Sequence, residues 1–180
     1  IGGGVVGVST LYHLTRKGWS DVVLLERTEL TAGSTWHAAG LLPLFNMSYT
    51  VGQLHKYSVD LYKRLPAETG QDVSFHVTGN LRLATCRDRM DEYRKYCGTA
   101  NTIGVPFQLI SPAEVKELWP LVNLGGDADT PAVIGALYHP DDGHIAPADL
   151  TMALRRAARS AGAEINEQTE VTGAVQMPSG

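Results

Sequence analysis

The chain has 180 residues, of which 43% are hydrophobic and 19% charged, and its formal net charge is −4. This length suits one globular domain or one and a half, and the slightly acidic balance argues against nucleic acid or an anionic membrane surface as a partner. The two cysteines, Cys86 and Cys97, fit neither a redox C-x-x-C pair nor a zinc ribbon, and no apolar run reaches the about 20 residues of a membrane span.

A glycine-rich turn comes first, followed by a helical pattern. Gly2, Gly4 and Gly7 form G-x-G-x-x-G directly before apolar residues at helical spacing. The run "DVVLLE" then predicts a short buried strand that ends in Glu26. The amides of such a turn can hold a pyrophosphate, and an acid at the end of the next strand can accept hydrogen bonds from a ribose. The unit therefore predicts a dinucleotide site, and the acid disfavours a 2′-phosphate although Arg27 follows it.

The middle of the chain alternates helical and extended patterns. In chain order the residues predict a loop over 27–43, a helix over 51–69, a hairpin in "VSFHVTGNLRLAT", a polar helix over 87–103, a strand in "PFQLI", a capped helix in "SPAEVKELWP" and a strand in "AVIGALYHP". These short strands indicate an antiparallel region that follows the first β-α-β unit.

The last part predicts a helix from about Pro147 to Ala161 and then strands in "AEINEQTEVTGAVQ". This helix and its following strand could rejoin the first sheet, so the pattern predicts an α/β protein. Almost no strand sequence precedes the glycines, and the last residues stop where strands would turn. We therefore expect the chain to be an internal piece of a longer protein.

Four stretches resemble one known family: "IGGGVVG", "LLERTELTAGSTWHAAGLL", "TGNLRLAT" and "PDDGHIAPADLTMAL". They are similar to the dimethylglycine and sarcosine dehydrogenases, flavoproteins of the D-amino-acid-oxidase-like superfamily, and the resemblance covers essentially all of the chain. It implies an incomplete, Rossmann-like FAD-binding domain over residues 1–72 and 146–180. It also implies part of an inserted, mainly antiparallel α+β substrate domain over residues 73–145.

The resemblance gives the small-residue stretch "GSTWHAAG" a role. In these enzymes the histidine of this motif is attached covalently to the 8α-methyl carbon of FAD, and here that histidine is His37. A neutral imidazole nitrogen can attack an electrophilic carbon, and the bond makes the flavin a stronger oxidant. On residue type alone, a loop histidine packed beside Trp36 is the alternative. The predicted cofactor-binding residues are Gly2, Gly4, Val5, Val6, Gly7, Glu26, Arg27, Gly33, Ser34, Thr35, Trp36, His37, Ala38, Ala39, Gly40, Leu41 and Val171.

The resemblance further implies oxidation of an N-methylated amino acid, such as dimethylglycine or sarcosine, by hydride transfer to flavin N5. The iminium product yields formaldehyde or passes a one-carbon unit to tetrahydrofolate, which a domain beyond residue 180 would bind. The expected electron acceptor is an electron-transfer flavoprotein or oxygen. The expected location is the cytoplasm of a bacterium, which we prefer, or the mitochondrial matrix of a eukaryote. No catalytic residue is identified within the chain itself.

Two alternative functions stay open. One is an oxidase of another secondary amine, such as 4-methylaminobutanoate. The other is a non-catalytic subunit similar to the regulatory subunit of pyruvate dehydrogenase phosphatase, which lacks the motif histidine, so His37 favours the enzyme.

Other polar groups are given simpler roles. "HPDDGH" could supply mixed metal ligands, but a polar turn is favoured and no metal site is predicted. Two further surfaces are predicted to face solvent: a strand face with Glu167 and Glu170, and a helix face with Arg155, Arg156 and Arg159.

Overall fold

The computed structural model describes residues 1–176, and this part of the chain has the predicted α/β character. The helices are α1 Val5–Arg16, α2 Tyr49–Thr69, α3 Arg87–Ile103, α4 Pro112–Leu118 and α5 Pro147–Ser160. The strands are β1 Val23–Leu25, β2 Leu41–Leu42, β3 His76–Val77, β4 Asn80–Ala84, β5 Gln108–Ile110, β6 Gly135–His139, β7 Gly143–His144 and β8 Glu164–Asn166. None of the helices within residues 1–176 is long and apolar enough to cross a membrane.

The chain divides into two compact units. Unit 1 comprises Ile1–Gly40, Tyr62–Phe75 and the chain from Ile145 onward, and unit 2 comprises Leu41–Leu61 and His76–His144. Compared with the predicted domain boundaries, the main difference is Leu41–Leu61, which the sequence assigned to the first domain. This segment belongs to unit 2 because β2 pairs with β7 there. The assignment of the units to flavin and substrate stays a prediction.

Unit 1 is built on a parallel pair of strands. β1 pairs with β8, with Val23 opposite Glu164, so the last helix and strand do rejoin the first β-α-β unit as predicted. Helix α1 buries Val8, Leu11 and Tyr12, and it packs against α5. These buried apolar side chains form the core of unit 1. Burying each large apolar side chain stabilises the folded state by roughly 1.5–3 kcal/mol.

The predicted strands after β8 do not form within the described residues. Residues 167–176 contain no strand, because the chain turns at Gln168, which has a φ of 55°. The amides of Gln168 and Thr169 donate to the carbonyl oxygens of Thr28 and Glu26, each at 2.8 Å. This stretch therefore packs on the loop after β1 instead of extending the sheet.

Unit 2 contains two antiparallel three-stranded sheets, with strand orders β2-β7-β3 and β4-β6-β5. The predicted hairpin is wrong, because β3 and β4 pair with β7 and β6 and not with each other. The amides of Thr78 and Gly79 both donate to the carbonyl oxygen of Asp142, and Gly79 has a φ of 70°. These bonds fix the turn to a distant residue and separate the two strands. β2 and β7 also lie in segments that the sequence predicted as loops.

Candidate functional site

Unit 1 has a cleft of about 820 Å³ at the N-terminus of α1. Three segments meet there. They are the glycine turn, which we define as residues 2–4, the residues after β1, and the small-residue loop, which we define as residues 33–40. The lining residues are Gly2, Gly3, Gly4, Val5, Val6, Glu26, Arg27, Thr28, Glu29, Ala32, Gly33, Ser34, Thr35 and Ala38. The cleft therefore brings together ten of the residues predicted to bind a cofactor.

The glycine turn presents unused backbone donors. Among residues 1–176, no acceptor takes the amides of Gly4 and Val6 at the start of α1. Orphan amides at a helix N-terminus favour an anion such as a pyrophosphate. A Cβ on Gly7 would overlap the carbonyl oxygen of Gly2, so this tight turn requires glycine there. These groups fit the phosphate part of a dinucleotide.

Thr35 fixes the small-residue loop to the turn. Its hydroxyl oxygen Oγ1 accepts a hydrogen bond from the amide of Val5 at 2.9 Å, and its side chain is buried. A Cβ on Gly4 would lie only 3.0 Å from the same oxygen. A side chain at position 4 would therefore crowd the Thr35 hydroxyl, and glycine leaves room for it.

Glu26 is held in place from two sides. Its Oε2 accepts from the amide of Gly3 at 2.7 Å, and its Oε1 accepts from the amide and hydroxyl of Thr28 at 2.8 and 3.0 Å. The bonds from the Thr28 and Gly3 amides lower the pKa of Glu26 below its usual value, so the group is ionised at neutral pH. A carboxylate has about four acceptor positions, so this one can still accept from a ribose.

His37 lies in the exposed part of the small-residue loop. Its Nδ1 is 3.0 Å from the carbonyl oxygen of Gly33, and its ring lies against that of Trp36, with centroids 3.9 Å apart and the ring planes inclined by 37°. A carbonyl oxygen only accepts, so Nδ1 is the donating nitrogen of this contact, and Nε2 is the nitrogen that can hold a lone pair. The ring of His37 thus packs beside Trp36, as the simpler alternative predicts, and its Nε2 is also available as a nucleophile, as flavin attachment requires.

The other predicted site residues lie outside the cleft lining. Gly7 lies in the first turn of α1, against the carbonyl oxygen of Gly2. Trp36, His37 and Ala39 are exposed and do not line the cleft. A Cβ on Gly40 would overlap the carbonyl oxygen of Ile145 in unit 1. Two further residues are placed elsewhere: Leu41 starts β2 in unit 2, and Val171 is half-buried after β8.

Four lining residues were not predicted: Gly3, Thr28, Glu29 and Ala32. Thr28 could have been found, because a threonine two residues after an acid is positioned to donate to it.

Unit 2 holds a separate buried polar cluster. His139 and Asp142 are buried, so the predicted polar turn is wrong at these two positions. His139 Nε2 lies 3.0 Å from the Tyr96 hydroxyl, and Asp142 Oδ1 accepts from the Leu44 amide at 2.9 Å. These side chains are used to fix the backbone and helix α3. Across residues 1–176, no group of three or more His, Cys, Asp or Glu is arranged to hold a metal ion.

Asp142 and His139 give unit 2 opposite dependences on pH. Burial raises the pKa of Asp142 from 3.8 to about 6, so its stabilising contribution is complete below pH 3.8 and is lost as pH rises through 6. Burial lowers the pKa of His139 from 6.5 to about 4, so its contribution is complete above pH 6.5 and is lost as pH falls through 4. Each effect is on the order of 3 kcal/mol.

We therefore expect that Asp142→Asn removes the opposing contribution of Asp142, so that the pH dependence due to His139 is seen alone. The free energy of unit 2 opening, measured by hydrogen exchange in β6, should rise between pH 4 and 6.5 more steeply in the variant than in the parent. Asp129→Asn, which changes an exposed acid, serves as the control. Equal pH slopes for the parent and Asp142→Asn would contradict this explanation.

Comparison with known proteins identifies relatives over the whole chain. The family model described as FAD dependent oxidoreductase matches residues 1–180. The chain is 45% identical over 180 residues to mitochondrial dimethylglycine dehydrogenase of Rattus norvegicus, covering 100% of this chain and 20% of that protein. It is 41% identical over 171 residues to the formaldehyde-forming 4-methylaminobutanoate oxidase of Paenarthrobacter nicotinovorans, covering 95% of this chain and 20% of that protein.

The fold has a close counterpart among solved structures. L-proline dehydrogenase from P. horikoshii superposes with a TM-score of 0.87 and 31% sequence identity, over 98% of this chain and 45% of that one. The chain thus spans about a fifth of the curated relatives and less than half of this solved chain.

Proposed function

Because the chain belongs to the family of FAD-dependent oxidoreductases, we propose that it forms the FAD-binding part of an enzyme that oxidises N-methylated amino acids. One observation carries the proposal. The glycine turn, the N-terminus of α1 and the ionised Glu26 all line one cleft. That combination suits an adenosine joined to a pyrophosphate, and the sequence relatives that we describe act on methylated amines by name.

In this proposal the protein binds FAD through groups that are already in position. The amides of Gly4 and Val6 hold the pyrophosphate, and the Glu26 carboxylate accepts from the ribose. Arg27 and Ser34 also line the cleft and can donate to phosphate oxygens. FAD, when bound, supplies the hydride acceptor, and the protein orients it and excludes water.

We also propose that His37 attaches the flavin covalently. The Gly33 carbonyl accepts from Nδ1, so Nε2 would be the nitrogen that bonds the 8α carbon. The 8α-methyl group would lose a proton in this step, and the flavin, which takes up the electron pair, would be reoxidised by oxygen. The Trp36 ring supports one face of the imidazole and limits its rotation. A covalent product linked through Nδ1 would contradict this assignment.

The substrate proposed for the whole protein is a small N-methylated amino acid of the dimethylglycine or sarcosine type. The reaction removes a hydride from the carbon beside a neutral amine nitrogen, a step that needs no base from this chain. Electrons then pass to an electron-transfer flavoprotein or to oxygen. The released one-carbon unit leaves as formaldehyde or on tetrahydrofolate, and we place the protein in a bacterial cytoplasm or a mitochondrial matrix.

The decisive experiment is a substrate panel on the protein at its native length. Dimethylglycine, sarcosine and 4-methylaminobutanoate are mixed with it without oxygen, and flavin absorbance near 450 nm is followed; the matched unmethylated amines serve as controls. We expect bleaching with at least one methylated amine. Flavin that stays oxidised with every amine would favour the regulatory alternative, and absence of bound flavin would overturn the proposal.

A further inference from the structure

We propose that Glu167, paired with Arg155, is a positioning residue for the FAD cleft, acting through the acid turn, which we define as residues 26–31. This inference rests on the proposed function, since it concerns how tightly the same cleft holds FAD. Glu167 lies outside the cleft lining, and its sequence context had indicated a solvated strand face. Its contacts give it a different role.

The Glu167 carboxylate joins helix α5 to the acid turn. Oε2 accepts from the Leu30 amide at 3.0 Å, and Oε1 lies 3.3 Å from Nη2 of Arg155. Both side chains are only 31% exposed, so solvent screens this contact less than an ordinary surface pair. The next two residues, Gln168 and Thr169, also bond the acid turn, through the carbonyl oxygens of Thr28 and Glu26. Three consecutive residues therefore fix one turn.

The acid turn in turn fixes the middle of the glycine turn. The Leu30 side chain is buried so close to Gly3 that a Cβ there would lie 2.5 Å from Leu30 Cδ2. The Thr31 amide donates to the Gly3 carbonyl at 3.0 Å, and the Gly3 amide donates to Glu26 at 2.7 Å. Gly3 is thus held by hydrogen bonds at its amide and its carbonyl, and the Leu30 side chain leaves no room for a side chain at this position. The orphan amide of Gly4 follows it directly.

Thr31 explains why this turn needs an external anchor. It has a φ of 68°, in the left-handed region that β-branched residues strongly disfavour. A residue in such a conformation persists only when surrounding contacts over-determine it. The bond from Leu30 to Glu167 fixes the chain immediately before Thr31, and the bond from Thr31 to Gly3 fixes Thr31 itself. Without Glu167 the turn can relax, and the Gly3 contacts loosen with it.

The test uses native-length protein in the His37→Ala background, where flavin binds reversibly whether or not the parent attaches it covalently. FAD affinity is measured by fluorescence titration, and exchange of the Leu30 amide is followed by mass spectrometry. Glu167→Ala should weaken FAD binding about tenfold and speed exchange at Leu30, because a hydrogen bond to a charged group is lost. Glu167→Gln keeps an acceptor for the Leu30 amide and should stay within about threefold of the parent.

Two further variants complete the design. Glu170→Ala removes an exposed acid from the same stretch and should leave both readouts unchanged. Glu167→Asp keeps the charge but is too short for both contacts, so it should weaken binding severalfold and replaces the alanine variant if that one does not fold. Unchanged FAD affinity in a folded Glu167→Ala or Glu167→Asp protein overturns the positioning role alone. Absence of FAD binding in the native-length protein that keeps His37 overturns the proposed function, and this inference with it.

Discussion

Replacing Gly7 with alanine is expected to leave the protein without FAD. Gly7 lies in α1, where alanine would normally stabilise a helix by roughly 0.5–1 kcal/mol. Here the new Cβ would overlap the carbonyl oxygen of Gly2. The obstacle is backbone, so no rotamer change can relieve it. The glycine turn must open, and overpacking of this kind typically costs 1–3 kcal/mol, occasionally more.

Flavin content per polypeptide and the thermal midpoint measure this effect. We expect the FAD of the native-length Gly7→Ala protein to fall at least a hundredfold, because the amides of Gly4 and Val6 turn away from the pyrophosphate. Gly98→Ala is the matched control: it lies inside α3 with nothing within 4 Å of its added Cβ, and it should be neutral or stabilising. Full flavin content in Gly7→Ala would show that the turn tolerates a side chain and that this reasoning fails.

Replacing His37 with alanine is expected to convert a covalently bound flavin into a dissociable one. After denaturation in acid and detergent, the parent should keep its flavin fluorescence on the polypeptide, and the His37→Ala protein should lose all of it. The physical reason is that no other nucleophilic nitrogen of the small-residue loop, residues 33–40, is available to the flavin. Oxidation of the amine should also slow, because loss of the linkage makes the flavin a weaker oxidant.

His76→Ala is the control for this measurement, since it removes another exposed histidine, from β3 in unit 2. It should keep the covalent flavin. Release of flavin from the unmutated protein would refute the attachment, while release from both variants would show that His37 has no special role.

The elements set by local residues could be predicted from the sequence. The glycine turn, β1 and the helices follow from periodicity and caps; Ser111 and Glu114, for example, form the predicted capping box at α4. The hairpin could not be predicted, because its strands have adequate local patterns and yet pair with β6 and β7. What separates them is the Asp142 carbonyl, a distant acceptor that no local pattern reveals.

The same distinction applies to the site. Glu26 and the glycines were found because their spacing along the chain has a direct chemical meaning. Glu167 was misjudged, because its amide partner on Leu30 comes from the start of the chain, and nothing near Glu167 indicates it. His139 and Asp142 were misjudged for a related reason: a polar run favours a surface turn unless distant segments bury it, and Leu44 and Tyr96 lie far away in sequence.

The parallel pairing of β1 with β8 also bears on the order in which a ribosome can build this protein. Val23 pairs with Glu164, so unit 1 cannot complete its sheet until nearly all of the described chain has been synthesised. Unit 2 ends at His144 and can fold while α5 and β8 are still inside the exit tunnel. Throughout that interval the Leu30 amide lacks its acceptor on Glu167, so the strained conformation of Thr31 is not yet supported. Nascent chains should therefore become able to capture FAD only once β8 has left the exit tunnel, and stalled chains released before β8 should carry none.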